Sequence, residues 1–103
     1  MTKLFLVHCG FYDLEILDGN YESHVNYFVA APDFEEARTR VRLLPDFQRK
    51  KMHVDGIQEI QAVAGHRVAL NEDAALNGQT VLISNKLRDL APKKIDTGTP
   101  ALA

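Results

Sequence analysis

The stretch Pro32-Asp33-Phe34-Glu35-Glu36-Ala37-Arg38-Thr39-Arg40-Val41-Arg42-Leu43-Leu44-Pro45 decides the fold of this chain, because it reads as one amphipathic helix with both ends marked. Asp33, with Glu36 three residues on, is a capping-box-like start: the Asp carboxylate takes an early helix amide and Glu36 reaches back to the cap. Phe34, Ala37, Val41 and Leu44 recur at helical spacing, so one stripe is apolar while the acids and arginines lie mostly off it. Acid in the first turn and arginine in the last suit the helix dipole, and Glu36 can pair with Arg40. Pro45 disfavours helical geometry at Leu44, so the helix is predicted over residues 33–44.

An amphipathic helix needs a sheet to cover, and the flanking sequence supplies strands. Lys3 to Cys9 is nearly continuous in apolar residues and is closed by Gly10, as expected of a central strand covered on both faces. Ser23 to Ala31, rich in β-branched and aromatic residues and closed by Pro32, reads as a second strand. Between them, Phe11 to Tyr21 with its Asp18-Gly19-Asn20 turn reads as a loop and a candidate site. Asp46 to Met52 reads as a polar, basic connector. Ile57–Gln61 and His66–Leu70 alternate on either side of Ala62–Gly65, which predicts a β-hairpin, and Thr80–Ser84 is a candidate fifth strand after the Asn77-Gly78 turn.

The expectation is an α+β fold: a small antiparallel or mixed sheet of four to five strands with one main helix, in the order ββαββ(β). Residues 1–90 form a single domain by length, and 91–103, with prolines, threonines and a glycine, read as a disordered tail. Four strands about 4.8 Å apart span roughly 19 Å, while a helix of about twelve residues covers about half of one face. Both faces of the first two strands are apolar, so residues 76–90 or a second copy must cover the remainder, which predicts a homodimer.

Composition narrows function without naming it. A net charge of −2 argues against whole-protein attraction to nucleic acid or anionic membrane. Cys9 is the only cysteine, which fits a buried thiol in a reducing compartment, and Leu4-Phe5-Leu6-Val7 is too short to span a bilayer. A cytoplasmic location follows as the expectation, with no membrane partner. No G-x-S-x-G elbow and no glycine-rich phosphate loop is present, so hydrolase and nucleotide-binding readings have no positive support. His8 and Cys9, as strand neighbours, point to opposite faces and cannot act as a nucleophile–base pair.

Two clusters are candidates. His24, His53 and Asp55, with Glu22, have metal-ligand chemistry and lie near strand beginnings, but none of the pairs has the tight spacing of a metal motif. They are therefore read as a binding group with no metal or cofactor assigned. The plainer expectation is that His24 and His53 bond backbone or each other while Asp55 caps a turn before Gly56. Arg38, Arg40, Arg42, Arg49, Lys50 and Lys51 form a basic segment that could contact phosphates. Arginines two apart on a helix splay, however, so a solvated face is favoured and nucleic acid is the weaker partner.

The ordered motifs Lys3-Leu4-Phe5-Leu6-Val7-His8-Cys9-Gly10-Phe11, Glu22-Ser23-His24 leading into Phe28-Val29-Ala30-Ala31, Glu36-Ala37, His53-Val54-Asp55 and Val63-Ala64-Gly65-His66-Arg67-Val68-Ala69-Leu70 resemble the bacterial domain of unknown function 1543. The resemblance spans about residues 3–70 and departs from the family's first strand where a single Gly10 is followed by Phe11. It implies a unit present in one or two copies, with no activity to carry over. A one-copy chain could then reproduce the two-copy contact as a symmetric dimer. Gln79–Asn85 faintly echoes Thr2–His8, as a relic strand or by chance. The leading functional expectation is a noncatalytic self-associating interaction module with an unknown protein partner. The alternative is a small metal-dependent enzyme or ligand-binding protein built on His24, His53 and Asp55.

Overall fold

The computed structural model describes residues 1–14, 19–85 and 92–96. The chain divides into two compact units, residues 1–71 and 72–103. The first holds a three-stranded antiparallel sheet in the order β2-β1-β3, with β1 Lys3–Tyr12, β2 Glu22–Ala31 and β3 His53–Glu59. Helix α1, Phe34–Arg42, and the short helix α2, Pro45–Arg49, join β2 to β3. A small hairpin, β4 Ala62–Val63 and β5 His66–Arg67, follows. In the second unit a 3-10 turn at Ala74–Leu76 precedes an antiparallel pair, β6 Val81–Asn85 and β7 Pro92–Asp96.

The α+β class, the central position of β1 and the main helix agree with the sequence. Asp33 caps α1 through its carboxylate, which accepts from the Glu36 amide at 2.8 Å. The Glu36 side chain turns instead to Arg40, at 3.5 Å. Four expectations need correction. The main sheet has three strands, because β3 begins at His53, ahead of the alternating run, and the hairpin strands pair only with each other. Residues 46–52 are not a plain connector: Pro45 stops α1 but also starts α2 at a position where its fixed φ is pre-organised. Gly10 does not end β1, which runs on to Tyr12. Finally, Pro92–Asp96, placed in the expected disordered tail, is a strand paired with β6, and residues 97–103 lie outside the described set.

Strict alternation along β1 divides its two faces. Phe5, Val7, Cys9 and Phe11 are buried, together with Val29, Ala31, Ala37, Val41, Leu44, Phe47 and Met52. Pro45 thus brings Phe47 and then Met52 into the core, an apolar signal hidden inside a basic segment. Burial, and behind it the charge of Asp55, push the Cys9 thiol up to about 11, which makes it an inert core group. The even positions of β1, Leu4, Leu6, His8, Gly10 and Tyr12, share the opposite face with Ala30, Phe28, Asn26, His24 and Glu22 of β2, their direct cross-strand partners. A three-stranded sheet is narrower than the four-stranded one expected, so less of this face needs cover, yet Phe28 remains 42% exposed.

Candidate metal centre

The candidate site lies at the polar end of that second face. Antiparallel pairing sets His24 opposite Gly10 and Glu22 opposite Tyr12 on one side of β1, and His53 opposite Gly10 on the other. Three strands therefore present His24, Gly10 and His53 in one row across the sheet.

A register shift in β3 makes this possible. Ile57 pairs with Val7 on the core face, and Gly56 pairs with His8 on the second face. Strict alternation from Ile57 would send Asp55 and His53 into the core. Instead Val54 pairs with Cys9 and His53 with Gly10, so Asp55 is the extra residue of a bulge and the side-chain parity resets there. The bulge is what aims His53 away from the core. Asp55 does not cap a turn, as expected from the sequence, but sits inside the strand.

Glu22, His24, His53 and Asp55 converge over Gly10. His24 Nε2 lies 3.1 Å from Glu22 Oε1 and 3.4 Å from Asp55 Oδ2. His53 Nε2 lies 3.1 Å from Glu22 Oε1 and 3.1 Å from Asp55 Oδ1. The two histidines thus face carboxylates, not backbone or each other. These side chains keep between 32% and 46% of their surface exposed, so small molecules in solution reach the cluster. A Cβ on Gly10 would fall 2.5 Å from Glu22 Oε1 and 2.7 Å from both Asp55 Oδ2 and His53 Nε2. Only glycine leaves the space that these donor atoms occupy.

Partial desolvation works against ionisation of Glu22, but the hydrogen bond to His53 and the nearby positive charge of His24 and His53, with the Tyr12 hydroxyl, outweigh it. Its carboxyl is held below the ordinary value. A depressed carboxyl favours the folded state above the ordinary carboxyl range, and that contribution disappears as pH falls through the lowered value.

Nothing in the sequence marks His8 as a ligand, yet it belongs to the same cluster. Its ring stacks on His24 at 4.8 Å with an interplanar angle of 9°, and its Nδ1 lies 2.7 Å from Asn26 Oδ1. Asp55-Gly56, a glycine inside a strand, was the one sequence signal for the bulge that completes the site.

The basic segment disperses. Arg40 turns to the sheet, donating to the Ala30 carbonyl and pairing with Glu36. Arg49 pairs with Asp46 at 2.8 Å, and Lys50 Nζ sits 4.6 Å from the Phe11 ring centroid, lining a pocket together with Lys51. Arg38 and Arg42, four apart, do share one row: both line a cleft of about 590 Å³ with Phe34, Phe47 and the outer edge of β3. Among the described residues no helix is long and apolar enough to cross a membrane. No family model, curated protein or solved structure matches this chain.

Proposed function

We propose that this chain binds a divalent transition-metal ion through Glu22, His24, His53 and Asp55, as the centre of a metal-dependent enzyme or ligand-binding protein. One observation carries the reading: each of two imidazole nitrogens lies 3.1–3.4 Å from both of two carboxylates, over a residue with no side chain. Donors about 2.0–2.1 Å from one tetrahedral ion lie roughly 3.3 Å from each other, so each imidazole–carboxylate pair already sits at ligand-to-ligand spacing. Mixed imidazole and carboxylate donors suit zinc, manganese, iron or nickel better than a soft ion. The exposure of the donors favours an open centre of the kind used on water or a small ligand over a closed structural site.

Titration calorimetry of chelator-treated protein with zinc, nickel and manganese tests this. Binding in the micromolar range or tighter is expected for at least one ion. His24→Ala and His53→Ala should each weaken it at least tenfold while the circular dichroism spectrum is unchanged. Absence of heat with all three ions ends the metal reading and leaves a cluster of partly exposed imidazole–carboxylate contacts.

Self-association is supported by a different observation. Phe28, opposite Leu6 on the face away from α1, is 42% exposed, beside half-buried Leu4 and Ala30. A homodimer formed through this patch should give twice the chain mass in light scattering at micromolar concentration, and Phe28→Ser should return it to one. A single-chain mass for the wild type removes this reading and leaves the metal centre untouched.

A further inference from the structure

The cluster offers more donors than a tetrahedral ion uses, and their arrangement has two sides. Glu22, His53 and Asp55 make one group of three whose ligand atoms lie within 4.8 Å of one another, and His8, His24 and Asp55 make a second. Asp55 belongs to both. Its oxygens point in different directions: Oδ1 faces His53 at 3.1 Å, and Oδ2 faces His24 at 3.4 Å.

We propose that the site is dinuclear, with Asp55 as a bridging carboxylate. Resting on the metal reading above, this assigns one ion to Glu22, His53 and Asp55 Oδ1 and the other to His8, His24 and Asp55 Oδ2. A carboxylate that binds one ion through each oxygen holds the pair at the roughly 3.5–4 Å spacing of two-metal sites.

His8 is the residue that separates this proposal from a single-ion site. Its Nδ1 donates to Asn26 Oδ1, its cross-strand partner, which leaves the Nε2 lone pair free for an ion. That is the outer-shell arrangement common to metal-binding histidines, in which the second ring nitrogen is tied down and the ring orientation fixed. The near-parallel stack on His24 keeps the two rings next to each other, and both offer a ligand nitrogen within 4.8 Å of Asp55. The bulge contributes again, since an in-register β3 would carry Asp55 into the core, away from both groups.

Stoichiometry decides the matter. Chelator-treated full-length protein is dialysed to equilibrium against manganese and separately against zinc, and bound metal is counted by mass spectrometry. Two equivalents per chain are expected for the wild type. One is expected for His8→Ala and for His8→Phe, the latter keeping the ring stack while removing the nitrogens. Manganese-loaded wild type should show the broadened paramagnetic resonance of a coupled pair, and the His8 variants the six-line signal of an isolated ion. One equivalent in the wild type overturns the dinuclear assignment and leaves the single-ion reading standing, whereas no bound metal removes both. Two equivalents retained in both His8 variants also overturn it.

Discussion

Gly10→Ala should fold at least as stably as the wild type and lose metal affinity on the order of 100-fold, the upper end of what displacing the support of a metal ligand costs. Glycine in the interior of a strand is a poor choice on its own terms, destabilising by roughly 0.5–1 kcal/mol relative to alanine. Gly10 is the eighth position of the ten-residue central strand, is buried, and is not in a turn. What it provides is room. The atoms that an added Cβ would meet are the tips of Glu22, Asp55 and His53, all free to swing outward because their side chains are partly exposed. The methyl group therefore displaces three donors at once while leaving backbone pairing intact. Unfolding by urea and metal titration on the same preparation read the two effects separately. Unchanged affinity in Gly10→Ala would mean that the ions are held elsewhere, whatever the wild type binds.

This opposition of local stability and site geometry also explains which parts of the molecule the sequence reveals. The helix at Phe34–Arg42 is legible because its cap, stripe and stop lie within fourteen consecutive residues and need nothing beyond them. The first two strands are legible for a similar reason: their apolar content exceeds what any loop could carry. Glu22, His24, His53 and Asp55 can be named from residue type, but their meeting depends on register, and Glu22 and His53 are 31 residues apart in the chain. No periodicity shows that β3 slips by one residue at Asp55, nor that Gly10 lies between two histidines. His8 is equally silent in the sequence, because its place beside His24 is set by cross-strand pairing and not by any local motif. The segment after Pro45 misled because its charges outnumber its apolar residues, although Phe47 and Met52 are the ones that pack. The β7 strand misled for the opposite reason: Pro92-Lys93-Lys94-Ile95-Asp96 has little strand propensity, and its pairing partner is β6.

Phe5→Ala should produce the reverse of Gly10→Ala: a loss of about 3–5 kcal/mol in unfolding free energy, with the metal site unaltered in whatever fraction stays folded. Phe5 is 0% exposed in the central strand, and its ring meets Phe34 of α1 edge-on at 5.0 Å between centroids. Truncation removes both the buried area and the contact that ties the helix to the sheet. A unit of about seventy residues has a total stability of only roughly 4–10 kcal/mol, so this one change removes about three-tenths of it or more. Phe34→Ala makes the internal control. It breaks the same aromatic pair from a side chain that is 48% exposed, and should cost far less, about 1 kcal/mol. A difference under 1 kcal/mol between the two variants in urea midpoints at equal slope would show that the core is not centred on Phe5. Phe5 and Gly10 stand in one strand on opposite faces, and a strand's alternation allows nothing else. Side chains at odd positions of β1 hold the sheet to its helices, and those at even positions near its end build the site. A substitution's place in that alternation should therefore forecast which of the two measurements it moves.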